Sequence, residues 1–342
     1  MIRTNVNWEI LSLTRFILAM IVALAHVPEA LNNLPSSNWP FYSRIGAFEA
    51  VLGFLLISGY SIGTSIQKNQ SSYLKRRLHR IYPIYFGTLI LYFIVTENSL
   101  NWHLLYEFLV NMLFLNNVVT SQSYIVVAWT LALEVWLYLL APFFFKLDYK
   151  RKMQLAYGSF LVFLLYTMGR TLFHFPYHTT VSYGLNLPLL AFIWLIGFIY
   201  PLHPNKGRFI RLSVLVFFIG YMGLTVAIEM AHQYKHYHQL TDFVIKDLKY
   251  FVSQSLVLGL VYVSVFYSHK IESLSFNTRR TFTILGNISY PFYLTHRLVF
   301  VFLNEHNFNN TVISILLAVA VSYIQYLLFD FYTRKRVVSL QH

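Results

Sequence analysis

The chain contains no cysteine and few charged residues. The absence of cysteine excludes disulfide bonds, thiolate nucleophiles and cysteine-ligated metals, and it leaves the redox compartment open. Charged residues make up 11% of the 342 residues, against about 25% in typical globular proteins. No polar stretch reaches the roughly 50 residues that a soluble domain needs. The composition therefore argues against an appended soluble domain.

Hydrophobic residues, at 57% of the chain, occur in long runs. A bilayer span needs about 17–25 such residues. We predict an all-α polytopic integral membrane protein with about ten transmembrane helices in one bundle, residues 1–342 forming a single membrane domain. The first run lacks a basic start and a small-residue cleavage site, so we expect it to stay attached. The predicted spans are 9–27, 45–67, 79–96, 124–146, 153–172, 181–200, 210–230, 249–268, 279–303 and 311–333.

The net charge of +13 follows from topology and gives no indication of a nucleic-acid partner. With ten spans, nineteen of the 26 Lys and Arg residues fall in the segments on one side, four on the other and three within spans. Cytoplasmic loops carry the excess of Lys and Arg. Both termini are therefore predicted to be cytoplasmic. The amphipathic segment 101–119 would break this alternation if it crossed, so we expect it to be re-entrant or interfacial.

Arg15 and His26 lie eleven residues apart in the first span. Eleven residues make almost three helical turns, so both side chains share one face, about 16 Å apart along the axis. Ionisable groups within a bilayer are costly and usually face protein or a wet cavity. An interfacial histidine and a snorkelling arginine are the alternative explanation.

Two further groups of polar residues have competing explanations. Arg77 and Arg80, three apart on one helix face, are either a topology signal or a phosphate-binding pair. Glu134 lies within the fourth span with Tyr138 one turn later, and a buried carboxylate needs a partner.

Polar residues also occur in the second and ninth spans. Ser58-Gly59-Tyr60 could serve only close helix packing. Pro291 is expected to interrupt the ninth span, where polar neighbours could line a cavity. These neighbours are Asn287, Ser289, Tyr290, Tyr293 and His296.

No metal site is predicted. His232, His236 and His238 lack matching carboxylates except Asp242, so a solvated outer loop is the default.

These motifs, in this order, resemble acyltransferase family 3, the integral-membrane acyltransferases that include O-acetyltransferases of bacterial surface glycans. The resemblance covers about residues 8 to 334. The matching motifs are Arg15-x10-His26, Ser58-Gly59-Tyr60, Arg77-x2-Arg80 followed by Ile81-Tyr82-Pro83, Trp129-Thr130-Leu131-x2-Glu134 and Ser289-Tyr290-Pro291-x-Tyr293-x2-His296.

The resemblance implies a multi-pass enzyme of the bacterial cytoplasmic (inner) membrane. It would transfer an acyl group, acetyl by default, from cytosolic acetyl-CoA or another acyl-CoA to a hydroxyl of a glycan or glycolipid acceptor. His26 would be the general base, oriented by Glu134 directly or through Tyr138; a covalent acyl-histidine remains open. The donor would be held by Arg15, Arg77, Arg80, Ser58 and Tyr60. The substrate cavity would be lined by Trp129, Asn287, Ser289, Tyr293 and His296.

Two other classes compete with the enzyme. A small-molecule transporter or exporter would use Glu134 and Arg15 as an intramembrane path. A scaffolding membrane protein would not need charged side chains on inward faces. Labelled acyl product separates the enzyme from both.

Overall fold

The computed structural model describes residues 6–30, 42, 44–96, 101–120, 123–177, 183–238, 247–271, 274–308 and 310–331. Arg3, Asp242, Lys246 and the basic residues 334–336, which entered the topology and metal arguments, lie outside the described residues.

The described residues form α-helices and no β-strand, which confirms the all-α prediction. Short 3-10 turns precede α5 and α8 and follow α9, and a π-helical turn, Tyr326–Phe331, ends the last helix. The helices are α1 (Trp8–Ala30), α2 (Ala47–Lys68), α3 (Tyr73–Val95), α4 (Trp102–Met112), α5 (Trp129–Lys146), α6 (Tyr149–Phe173), α7 (Asn186–Leu202), α8 (Gly207–Tyr237), α9 (Leu248–Tyr267), α10 (Phe276–Glu305) and α11 (Thr311–Gln325).

Among the described residues, eight helical segments are long and apolar enough to cross a membrane: those containing α1, α2, α3, α5, α6, α8, α9 and α11. The chain is therefore a polytopic membrane protein. The other two predicted spans fall on α7, which has 17 residues, and on α10, which has 30 residues but many polar ones. α7 is buried along its length, from Leu189 to Pro201, so protein surrounds this short apolar helix.

α2 and α7 touch through their backbones at glycine residues. A Cβ atom on Gly59 would lie 2.0 Å from the carbonyl oxygen of Trp194, and one on Gly197 would lie 2.3 Å from that of Leu56. Small residues permit such close approach between membrane helices. The packing explanation therefore holds for Gly59, and α2 is fixed against the buried helix.

α1 packs along α10 in the same manner. A Cβ atom on Gly286 of α10 would lie 2.3 Å from the Cβ atom of Ser12 in α1. α10 runs without interruption through Pro291, so the expected break at this proline was wrong. Polar side chains of the continuous helix reach several neighbours: Tyr290 contacts α3, Tyr293 contacts the start of α5 and His296 contacts α1.

The segment after α4 enters the bundle. The Tyr85 hydroxyl donates to the carbonyl oxygen of Asn111 at 3.0 Å, and the Trp136 indole donates to that of Phe114 at 3.0 Å. Tyr85 and Trp136 lie near the middle of α3 and α5. The turn that follows α4 therefore lies level with the middle of these two helices.

Candidate active site

A cavity of about 120 Å³ lies between α1, α2, α3, α5 and α10, and we call it the central cavity. Its polar lining residues are Arg15, Ser58, Ser61, Arg77, Arg80, Thr130, Glu134, Tyr138, Ser289, Tyr290 and Tyr293. The remaining walls are apolar, formed by Phe54, Ile57, Ile81, Leu131 and Gly286.

Three arginines line one end of the central cavity, at the start of α3 and in the first half of α1. Arg77 donates from Nη2 to the carbonyl oxygen of Ser61 at 3.0 Å, which directs its guanidinium group toward α2. Arg15 and Arg80 line the same cavity. Arg76, one residue earlier, is exposed, and its contacts are with Ser65, Ser72 and the backbone at Asn69. The helix therefore separates the two neighbouring arginines onto different faces.

Glu134 and Tyr138 occupy the middle of the central cavity. The Tyr138 hydroxyl donates to Oε2 of Glu134 at 2.5 Å and lies 2.9 Å from Oγ of Ser58. Arg15 and Arg77 are close enough to Glu134 to interact with its charge. A carboxylate within a membrane bundle thus has a hydroxyl donor and two nearby cations, which offsets the cost of burying it.

Tyr293 closes the other end of the central cavity. Its hydroxyl donates to the carbonyl oxygen of Val127 at 3.1 Å and lies 2.7 Å from Oγ1 of Thr130. These contacts join α10 to the start of α5. The ring of Tyr293 also meets the ring of His296, one turn later, at a centroid distance of 6.3 Å.

His26 and His296 form a pair just beyond Tyr293. Their ring centroids are 5.2 Å apart, and Nε2 of His296 lies 3.5 Å from Nδ1 of His26. His296 is fully buried, whereas His26 is half-buried. The expectation that His26 faces protein therefore agrees with its position.

The backbone indicates the tautomer of both histidines. Nδ1 of His26 lies 2.8 Å from the carbonyl oxygen of Val22, and Nδ1 of His296 lies 3.0 Å from that of Phe292. Because a carbonyl oxygen only accepts, each neutral ring carries its proton on Nδ1 and its lone pair on Nε2. Nε2 of His296 can then accept from Nδ1–H of His26, and Nε2 of His26 is the basic atom of the pair.

Three residues predicted to belong to the site lie outside both the central cavity and the histidine pair. Tyr60 is buried with its ring near those of Trp8 and Tyr200. It lies two residues after Ser58, which places it on the other side of the helix from the cavity. Asn287 donates to the Tyr326 hydroxyl at 3.3 Å, so it faces the end of α11.

The third is Trp129, which lines a different cavity. The other predicted residues lie in the central cavity or at the histidine pair.

The sequence led us to expect that Glu134, directly or through Tyr138, orients His26, whereas the structure places His296 against His26 and bonds Glu134 to Tyr138. The sequence gave Ser61 no role.

Tyr290 lines the central cavity and donates to the carbonyl oxygen of Ile81 at 3.2 Å. Its position beside Pro291 was the reason for expecting it at a cavity wall. Of the predicted loop histidines, His232 and His238 are exposed at the end of α8.

Comparison with known proteins shows the family of the chain. A family model described as an acyltransferase domain matches residues 8–327. A curated relative from Acidianus two-tailed virus, named "Putative acetyltransferase ORF330", is 28% identical over 219 residues, covering 56% of this chain and 65% of the relative. This chain thus matches slightly less than two thirds of that relative's length. No solved structure matches the chain significantly. Since the family model spans nearly every described helix, the chain belongs to acyltransferase family 3.

Proposed function

We propose that this protein moves an acyl group, acetyl by default, from a cytosolic acyl-CoA through the bundle to a hydroxyl of a cell-surface glycan or its lipid-linked precursor. The membrane would be the bacterial cytoplasmic membrane. One observation carries the proposal: polar side chains continue from Arg77 and Arg80 through the central cavity to the histidine pair.

The arginine end of the central cavity suits the phosphates of an acyl-CoA. Arg15, Arg77 and Arg80 contribute three permanent cations to one small volume, against the single carboxylate of Glu134. Guanidinium groups bind phosphate oxygens with paired hydrogen bonds. Glu134 and Tyr138 would hold Arg15 and Arg77 in position, so that the arginines meet the phosphates without first rearranging.

The length of α1 suits the donor. Arg15 and His26 are about 16 Å apart along the helix, a distance comparable to an extended pantetheine arm. Phosphates held among the arginines would therefore allow a thioester to reach the histidine pair once the Tyr293 side chain moves aside. Tyr293 is held by Thr130 and the carbonyl oxygen of Val127, which lie at the start of α5 and in the turn just before it.

His26 would perform the proton transfer. Nε2 of His26 takes the proton of the acceptor hydroxyl as its oxygen bonds to the thioester carbonyl carbon, which is general-base catalysis. The carbon–sulfur bond then breaks, and the proton passes from the imidazolium to the leaving thiolate. His296 would support the charged ring of His26 by accepting from Nδ1–H, so His296 is a positioning residue.

The experiment supplies radiolabelled acetyl-CoA to membranes containing the wild-type protein or His26→Ala. We expect label in an alkali-labile ester fraction with the wild type and none with His26→Ala. His79→Ala is the matched control, because His79 is exposed and does not line the central cavity.

Mass spectrometry of surface glycans from cells with and without the protein would identify the acceptor. Label that crosses the membrane without covalent transfer would contradict the enzyme and support a transporter. Acyl transfer by His26→Ala at the wild-type rate would contradict only the assignment of His26 as the general base.

A further inference from the structure

A second cavity, of about 360 Å³, lies on the opposite face of α5, and we call it the outer cavity. Small-molecule sites occupy roughly 300–1,000 Å³. Two tryptophans, Trp129 and Trp136, line it from α5, seven residues and about two turns apart. Its other lining residues are Asn116, Asn117, Val118, Ala132, Leu133, Tyr183, Gly184, Asn186, Leu187 and Pro188.

Two buried amides in this lining have unsatisfied hydrogen-bonding atoms. Asn186 is 4% exposed, and neither its Oδ1 nor its Nδ2 has a partner. Asn116 is 1% exposed; its Nδ2 donates to Oγ of Ser123 at 3.1 Å, but its Oδ1 has no partner. An unpaired buried polar group is destabilising. Two such residues lining one cavity indicate a ligand that supplies donors and acceptors.

The frame of the outer cavity is held together by backbone contacts between distant segments. The amide of Gly184 donates to the carbonyl oxygen of Asn117 at 2.8 Å, and that of Tyr183 donates to the carbonyl oxygen of Val118 at 2.9 Å. The indole of Trp136 donates to the carbonyl oxygen of Phe114, so its ring forms a fixed apolar wall. These hydrogen bonds therefore hold together the segments that carry the amides and the rings.

The chemistry of the lining defines the ligand. None of the described residues that line the outer cavity carries a charge. Neutral amides that both donate and accept, next to indole rings, suit hydroxyl groups beside C–H surfaces, which pack against the electron-rich faces of aromatic rings. A lipid tail would leave Asn116 and Asn186 unsatisfied, and an anion would find no cation.

We propose that the outer cavity binds an uncharged pyranose unit of the acceptor, away from the unit that is acylated. This inference rests on the proposed function in placing the sugar on the acceptor. Trp129 lines the outer cavity, and the next residue, Thr130, lines the central cavity and contacts Tyr293. Helix α5 alone thus separates the sugar subsite from the active site.

The test measures sugar binding with no acyl donor present. The full-length protein in nanodiscs is mixed with methyl glycosides of glucose, galactose, mannose and N-acetylglucosamine, and with glucuronate, and saturation-transfer NMR reports contact. We expect transfer to at least one neutral glycoside, weakened about tenfold in Asn186→Leu, and none to glucuronate. Asn205→Leu is the matched control, because Asn205 is exposed between α7 and α8.

Asn186→Leu should melt at or above the wild-type temperature, because it removes an unsatisfied buried amide. If it unfolds instead, Trp129→Ala provides the second variant, with the same expected loss of binding. The subsite proposal would be overturned if no neutral glycoside bound, or if wild type, Asn186→Leu and Trp129→Ala bound equally well. Either result would leave the proposed acyl transfer unaffected. Retained sugar binding without acyl transfer would overturn only the proposed function.

Discussion

At the residue scale, Arg76 and Arg77 offer a direct test of the donor site. Arg77 lines the central cavity, whereas Arg76 is exposed and bonded to Ser72. Arg77→Ala should raise the KM for acetyl-CoA about 10- to 100-fold, because hydrogen bonds to charged groups contribute about 1.5–3 kcal/mol. Arg76→Ala should leave this KM unchanged. Initial rates at varied acetyl-CoA check both.

The truncated donor S-acetylpantetheine sharpens this comparison. It lacks the nucleotide phosphates, so wild type and Arg77→Ala should use it equally poorly. If Arg77→Ala impaired both donors alike, the arginine would act on folding or on another part of the reaction.

His296 is predicted to act through His26. His296→Gln keeps a side-chain acceptor for Nδ1–H of His26, whereas His296→Phe leaves it only the carbonyl oxygen of Val22. We expect His296→Phe to lower kcat on the order of 100-fold with little change in the KM for acetyl-CoA, and His296→Gln to restore much of the rate. Equal losses in both variants, with lowered melting temperatures, would indicate a packing role instead.

The sequence predicted which residues face inward but not which residues meet. Helical periodicity placed Arg15 and His26 on one face of α1, and both face protein. It could not show that His296 contacts His26, because the partner of an inward residue depends on the rotation and depth of a second helix. For the same reason the sequence could not show that Trp129 and its neighbour Thr130 line different cavities.

At the element scale, the contact between α2 and α7 depends on glycine. A Cβ atom at Gly59 would meet backbone atoms of α7 at 2.0 Å, which a side-chain rotation cannot relieve. Gly59→Ala should therefore destabilise the fold by about 1–3 kcal/mol. Gly158→Ala is the matched control, because nothing lies within 4 Å of its Cβ position. Thermal unfolding of the purified proteins measures both.

An unchanged melting temperature for Gly59→Ala would mean that α2 and α7 are less closely packed than the structure shows. Gly158→Ala should keep or slightly raise the melting temperature, since alanine favours helix by up to about 1 kcal/mol.

Hydrophobic run length predicted the position of the helices well, because bilayer thickness fixes the length of apolar sequence. The sequence was less informative at α10, where Pro291 led us to expect a break that is absent. Proline removes one backbone donor, but neighbouring helices hold the chain in place and a helix of 30 residues continues.

At the scale of the whole molecule, the absence of cysteine makes topology directly measurable. Lys150 lies at the start of α6 and Tyr183 lies shortly before α7, and both are exposed. In intact cells, a membrane-impermeant maleimide should label Tyr183→Cys but not Lys150→Cys, because the excess of Lys and Arg places Lys150 inside. The wild-type chain is an unreactive control. The reverse labelling, or equal labelling of both, would contradict the predicted orientation.

The account as a whole requires donor and acceptor to meet inside the bundle from opposite sides. The most direct measurement supplies radiolabelled acetyl-CoA to sealed inside-out vesicles, whose cytoplasmic face is outward. The account predicts alkali-labile acetyl ester in the lumen, protected from an external esterase and absent with His26→Ala. Free label accumulating in the lumen without ester, or ester formed at the wild-type rate by His26→Ala, would contradict it.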